Sequence, residues 1–250
     1  MTRAFFVQFR RELGALLLSP IAYVVLLVVT ILNAFNFLWA VAFLESGVKD
    51  FTIVQIFFLL PVFWFGLIPQ VPLITMRLFA DEYKTGTIEP LLTAPVREWD
   101  IILSKFGAAV VFFVLLWAPT ALFVAVFQVI TKNQVPIAWT PSLMSYGIIL
   151  LVGMFYISIG IFASSLTKNQ VIAAVLSLVV IIFLFFSAML GEMARDPGLR
   201  EIMAYIFTYE HVRTFSRGLF DTRPVVYYLS GCAFFLILTW RALVARQLKS

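Results

Sequence analysis

Six long uncharged runs recur along the chain, and the segments between them hold its charged residues. The runs extend from Pro20 to Leu44, Ile53 to Thr75, Phe106 to Ile130, Leu143 to Ser165, Val171 to Leu190 and Val225 to Trp240. An apolar helix of about 20 residues crosses the roughly 30 Å hydrocarbon layer of a bilayer, so each run predicts a transmembrane helix. The expected fold is an all-α integral membrane protein with six spans. The last run is short, and Arg223 and Arg241 at its ends would snorkel to extend its reach. Pro61, Pro69 and Pro72 predict a kink or break in the second.

Two further segments have helical periodicity without the length to span. Before the first run, Phe5, Phe6, Phe9, Leu13, Leu16 and Leu17 recur at helical spacing, with Arg3, Arg10 and Arg11 mainly on the other side. This predicts an interfacial helix over residues 1–19, read either as a lever touching a cytoplasmic partner or as a basic amphipathic anchor. The first run is too long for a signal peptide and lacks a small-residue cleavage pattern, so a retained anchor is expected. Over residues 191–224, Asp196 can cap a helix with Pro197 at its first position and Leu199, Ile202, Met203 and Ile206 on one face. Val212, Phe215 and Leu219 form a second such group. Re-entrant or surface-lying half-helices are the expectation there.

Composition narrows the class. With 62% apolar and 12% charged residues and a mean hydropathy of +1.02, neither a soluble domain nor a disordered chain fits. A single cysteine excludes a disulfide framework and any multi-Cys metal site. The net charge of +5 does not point to nucleic acid, because the cations sort by side. Arg3, Arg10, Arg11, Arg77, Lys84, Arg97, Lys105, Lys168, Arg241, Arg246 and Lys249 fall on one side, while the two short loops opposite hold only Lys49 and Lys132. By the positive-inside rule both termini face the cytoplasm. The segment before the last run carries five more cations balanced by acids. No formal charge falls within any run, which disfavours an ion-driven secondary carrier, a class that commonly keeps an ionisable group at membrane depth. The lone His211 reads as a packed histidine and Cys232 as a small apolar residue. No metal or cofactor is expected in the chain itself.

Residues 76–105, MRLFADEYKTGTIEPLLTAPVREWDIILSK, are too elaborate for a bare loop. Arg77 and Asp81 are four apart and Asp81 and Lys84 three apart, so each pair meets on one face of a short helix. Gly86 suits the left-handed position after it, Thr87 can cap the next turn, and Pro95 suits the first position of a helix running into the third run. Helix, tight turn and short helix make a stiff charged tip suited to a groove on a soluble partner. The motif formed by Met76, Arg77, Asp81, Glu82, Gly86, Thr87, Glu89, Leu91, Leu92, Thr93, Pro95 and Lys105 resembles that of the membrane subunits of ABC-2 type ABC transporters, particularly the gliding-motility-associated permeases. Asp81 stands where Glu is commoner, and Ser104 where Gly is usual. The stretch EHVRTFSRGLFDTRPVVYYLS and the opening SPIAYVV are also similar, so the resemblance covers nearly the whole chain.

The resemblance implies one ABC-2, type V exporter-like transmembrane domain over residues 1–250. It implies that Arg77 to Glu89, including Arg77, Asp81, Glu82, Lys84, Gly86, Thr87 and Glu89, form the coupling helix that docks on an ATP-binding subunit. It also implies ATP and Mg bound by that partner, a second permease copy or related permease, and a bacterial inner-membrane location among lipids. The turn at Thr167, Lys168, Asn169 and Gln170 reads either as a second contact, through Thr167, Lys168 and Asn169 above all, or as a bare hairpin. The chain has no Gly-x-x-x-x-Gly-Lys-Ser/Thr loop and no catalytic constellation in its runs, so it is read as a permease without ATPase activity of its own. A non-transporting scaffold or mechanotransmission subunit is the other reading. Gly160 and Ser164, and Ala173 and Ser177, predict close helix packing. Asn33, Asn36, Gln55, Gln70 and Gln128 require partners within the membrane, helix-to-helix bonds being the simpler account.

Overall fold

A computed structural model describes residues 3–45, 51–88, 96–131 and 139–247. Every regular element among them is helical. In chain order these are α1 (Arg3–Leu17), α2 (Pro20–Glu45), α3 (Ile53–Leu59), α4 (Pro61–Thr75), α5 (Ala80–Thr85) and α6 (Glu98–Ile130). They continue as α7 (Trp139–Leu166), α8 (Gln170–Phe185), α9 (Ser187–Glu192), α10 (Pro197–Tyr205), α11 (Thr208–Ser216) and α12 (Thr222–Gln247). Five helical stretches are long and apolar enough to cross a membrane: Pro20–Glu45, Pro61–Thr85, Glu98–Ile130, Trp139–Leu166 and Thr222–Arg246.

The bundle is organised around α7, which packs against α4, α6, α8, α11 and α12. Small residues let those neighbours approach. A Cβ on Gly153 would stand 2.3 Å from the Phe113 ring, and one on Gly160 would stand 2.1 Å from the Thr75 hydroxyl. Gly160 and Ser164 thus form the close seam expected from their spacing. The outer helices α2, α6 and α12 keep Leu27, Ile31, Leu122, Val129 and Phe234 exposed, as lipid-facing surfaces do.

The break expected in the second run occurs, and three other boundaries differ from the expectation. The second run divides at Leu60, whose extended backbone separates α3 from α4, with Pro61 opening α4. Proline at a first helical position needs no partner for its missing N–H, whereas Pro69 and Pro72 remain inside a continuous α4. A capping box starts α3: Thr52 Oγ1 accepts from the Gln55 N–H, and Gln55 Oε1 accepts from the Thr52 N–H. The fifth run is two helices, because α8 ends after 16 residues and the chain restarts as α9. The sixth helix is longer than its apolar run, covering 26 residues, with Arg223 and Arg241 inside it. The third helix starts at Glu98 rather than near Pro95, which lies outside the described residues; Lys105 therefore sits within α6, one residue before the uncharged run that begins at Phe106.

The half-helices occupy the end of the bundle away from α5. Asp196 caps α10 by accepting from Gly198 and Leu199 N–H at 3.4 and 3.3 Å. The face of Leu199 and Ile202 is exposed, so α10 lies on the surface. In α11, Val212 and Phe215 are buried, but Leu219 is exposed because the chain leaves the helix and turns through Gly218 at φ 79°. Thr208 and the Tyr156 hydroxyl of α7 are 3.0 Å apart, and His211 Nδ1 lies 2.9 Å from the Tyr228 hydroxyl of α12. His211 is a packed histidine, as expected. Asn36 likewise finds its partner between helices, donating to the Phe57 carbonyl at 2.8 Å.

Two measurements test this packing. Gly153→Ala should destabilise the chain by about 1–3 kcal/mol through overpacking against Phe113, whereas Gly147→Ala, with open space around it, should be tolerated; thermal unfolding in detergent compares them. Burial pushes His211 below its ordinary value of 6.5, opposed by a hydrogen bond with the Tyr205 backbone and by Asp221 and Glu210. A folded state that disfavours the imidazolium loses stability as pH falls below about 6.5. His211→Gln should flatten that slope between pH 6.5 and 5.5 in the same assay.

Candidate coupling site

The segment after α4 is an elbow held by its neighbours rather than by its own sequence. α4 ends at Thr75, four residues turn, and α5 follows for only 6 residues. Its own N-cap, Phe79, has no side-chain cap. The missing acceptor comes from α7: Ser164 Oγ accepts from the Phe79 and Ala80 N–H groups, both at 3.1 Å, and donates to the Met76 carbonyl at 3.1 Å. One hydroxyl thus satisfies two opening donors of α5 and a carbonyl at the end of α4. At the other end, Gly86 takes the left-handed conformation at φ 73°, as expected, and Thr85 donates to the Asp81 carbonyl.

The acids of α5 face inward. Asp81 Oδ2 accepts from Arg77 Nε at 2.9 Å, and its other oxygen accepts from Gln170 at the start of α8. Arg77 also donates to Ser19 Oγ at 2.8 Å, between α1 and α2. Glu82 Oε1 accepts from Lys105 Nζ at 2.8 Å and lies 3.2 Å from an Arg11 nitrogen. Lys105 reaches Glu12 of α1 at 3.1 Å, and Glu12 also accepts from Arg11 and Gln8. The Lys105 side chain is 1% exposed and its ammonium lies 5.2 Å from the Phe79 ring centroid. From α12, Arg246 lies over the Tyr83 ring at 4.3 Å and donates to the Leu166 carbonyl. Helices α1, α6, α7, α8 and α12 therefore all hold this short element.

Burial reverses the usual weakness of surface ion pairs. Removing one partner strands a charge away from water, at a cost of about 3–5 kcal/mol. The clamp therefore fixes the position of α5 relative to α1 and α6 even though its net contribution to stability is modest.

The expected residues divide between clamp and tip. Arg77, Asp81 and Glu82 belong to the clamp, with Arg11. Lys84, Gly86 and Thr87 form the exposed tip, while Ile88 is buried behind it. The expected Asp81–Lys84 pair is absent, because Asp81 turns inward to Arg77 and Gln170 while Lys84 is exposed. Glu89, Pro90, Leu91, Leu92 and Thr93 lie outside the described residues, as does the Arg3 side chain; Arg10 is exposed on α1. In the turn between α7 and α8, Thr167 Oγ1 accepts from the Asn169 N–H and Asn169 caps α8 through the Val171 N–H. Lys168 and Asn169 are exposed, and Gln170 joins this turn to α5.

Glu12 and the capping role of Ser164 escaped sequence reasoning; Gln170 appeared there only as part of the turn before the fifth run, and Lys105 only as a cytoplasmic cation and a motif position. Glu12 carried a readable signal. It falls on the same helical stripe as Phe9, Leu13 and Leu16, and an acid on an apolar stripe needs a buried cation.

The family model for ABC-2 family transporter proteins matches residues 13–213. The chain belongs to this family. No curated protein matches it. As an ABC-2 permease it is a multi-pass membrane component of a transporter, not itself catalytic, and membership implies an ATP-binding partner in that transporter. The matched region holds Asp81, Glu82, Lys105, Ser164 and the turn at Lys168; Arg11 and Glu12 lie just before it.

Lys105→Met should leave Glu12 and Glu82 with only the half-exposed Arg11 as their cation and cost about 3–5 kcal/mol. Adding Glu12→Gln should recover part of that loss. Unfolding of the purified permease in detergent measures both, and a loss below about 1 kcal/mol for the single change would show that the clamp is dispensable.

Proposed function

We propose that this ABC-2 permease is the membrane-spanning half of an ABC exporter in the bacterial cytoplasmic membrane, with α5 and the turn at Thr167, Lys168 and Asn169 forming the docking surface for a separate ATP-binding subunit. The chain crosses six times, α8 with α9 supplying the fifth crossing, and both termini face the cytoplasm. A second copy or a related permease completes the pathway. The partner binds ATP and Mg, and this chain needs no cofactor. The substrate moves outward, and the motif of residues 76–105 resembles that of the gliding-motility-associated branch.

One observation carries this reading: an exposed tip at Lys84 to Thr87 sits on a helix locked into five others. A load on the tip would pass to α6 through Lys105, to α7 through Ser164 and to α1 through Glu12. Packed interfaces of this kind shift as units, which suits the transfer of ATP-driven movement into helix displacement. Clamp acids hold the tip in place, and the exposed surface they support is basic, with Lys84 and Lys168 on it. Complementary charge on the partner would set register and speed association.

Lys84→Glu combined with Lys168→Glu should lower recovery of the ATP-binding subunit in a pull-down at least tenfold, while membrane insertion is unchanged. Glu89→Lys should weaken recovery as well. Undiminished recovery from the lysine double variant would remove the docking role from this surface.

A further inference from the structure

Beside the clamp is a cavity of about 380 Å³, between α1, the start of α2, the end of α4, α5 and α6. That volume falls within the roughly 300–1,000 Å³ of small-molecule sites. Its wall has two chemistries. The mouth carries Arg11, Arg77 and Lys105 against Glu12, Asp81 and Glu82, while Ala22, Val25, Leu73 and Ile74 line an apolar side. Ile21 and Leu73 on the wall are 39% and 40% exposed, so the cavity opens sideways toward the lipid-facing surface near the ends of α2 and α4. A polar mouth at the helix ends beside an apolar wall at membrane level fits an amphiphile lying parallel to the helices, not a small ion.

The charges indicate which amphiphile. Arg77 is held by Asp81 and Ser19, and Arg11 by Glu12 and Glu82, yet their side chains remain 37% and 54% exposed. A guanidinium has five N–H donors, so each arginine held in this way still offers donors to a phosphate diester. The three carboxylates match the three cations, leaving no net positive charge at the mouth. An anionic headgroup would bring a charge against Glu12, Asp81 and Glu82 that nothing balances. A zwitterionic headgroup brings its own cation, and a primary ammonium can donate to Asp81, 29% exposed, where a trimethylammonium cannot. We propose that this cavity is a binding site for a phosphatidylethanolamine, its phosphate on Arg77 and Arg11, its ammonium among the carboxylates and one acyl chain along Ala22, Val25, Leu73 and Ile74. The site requires only the membrane location of the chain and stands whether or not the tip docks an ATPase.

Native mass spectrometry of the full-length permease, released from mixed micelles with equal amounts of phosphatidylethanolamine, phosphatidylcholine and phosphatidylglycerol, tests it. The wild-type chain should retain phosphatidylethanolamine at least fivefold over the other two. Arg77→Gln, which removes the phosphate donor, and Val25→Trp, which fills the apolar side, should each cut that preference at least fivefold with helical circular dichroism unchanged. Equal retention of phosphatidylethanolamine and phosphatidylcholine, an excess of phosphatidylglycerol, no retained lipid, or a preference that survives both substitutions would overturn the proposal. Should a variant fail to fold, the wild-type headgroup ranking alone decides.

Discussion

An ammonium removed from water must be met by negative charge, and Lys105 imposes that requirement on the whole end of the bundle. It stands inside the helix that begins at Glu98, so its partners have to come from elsewhere in the chain. Glu12 supplies one from α1 and Glu82 supplies the other from α5, which fixes two short elements against a long one. The position of α1 therefore follows from satisfying a buried charge as much as from its apolar stripe, and the inward turn of the α5 acids follows from the same demand.

The second organising feature is the thinness of α7 on the side facing α4 and α6. Glycine at 153 and 160 removes side chains where a phenyl ring and a threonine fill the space instead. Close approach places Ser164 within reach of the elbow, where an ordinary helix spacing would leave it short. Backbone groups at the buried elbow have no water to fall back on, so a hydroxyl delivered from a neighbouring helix replaces the cap that the local sequence lacks.

Much of this was legible in the chain because lipid and water impose different compositions. The apolar runs, the Asp196–Pro197 start of a half-helix and the Gly86 turn each follow from local rules, and each appears where those rules place it. The break at Leu60 was announced by Pro61, whereas the break at Phe186 was harder to read, since uninterrupted hydropathy says nothing about whether a helix continues through it. The helix expected from Pro95 into the third run already placed Glu98, Asp100 and Lys105 on α6, but nothing local showed that Lys105 would be buried. At the site, the Arg77–Asp81 pair was visible from its spacing of four. The partners of Glu82, Asp81 and the elbow come from residues 70 to 90 positions away along the chain or from another helix altogether, and no local pattern announces such meetings.

A helix of six residues is far below the length at which nucleation is overcome in water. With its first two amides answered by Ser164, α5 takes its cap on loan from α7. If α7 were to withdraw by the width of a water molecule, those two amides would lose their acceptor while the ion pairs to α1 and α6 remained. The exposed tip is thereby registered against two independent supports, one made of hydroxyl and amide and the other of opposed charges.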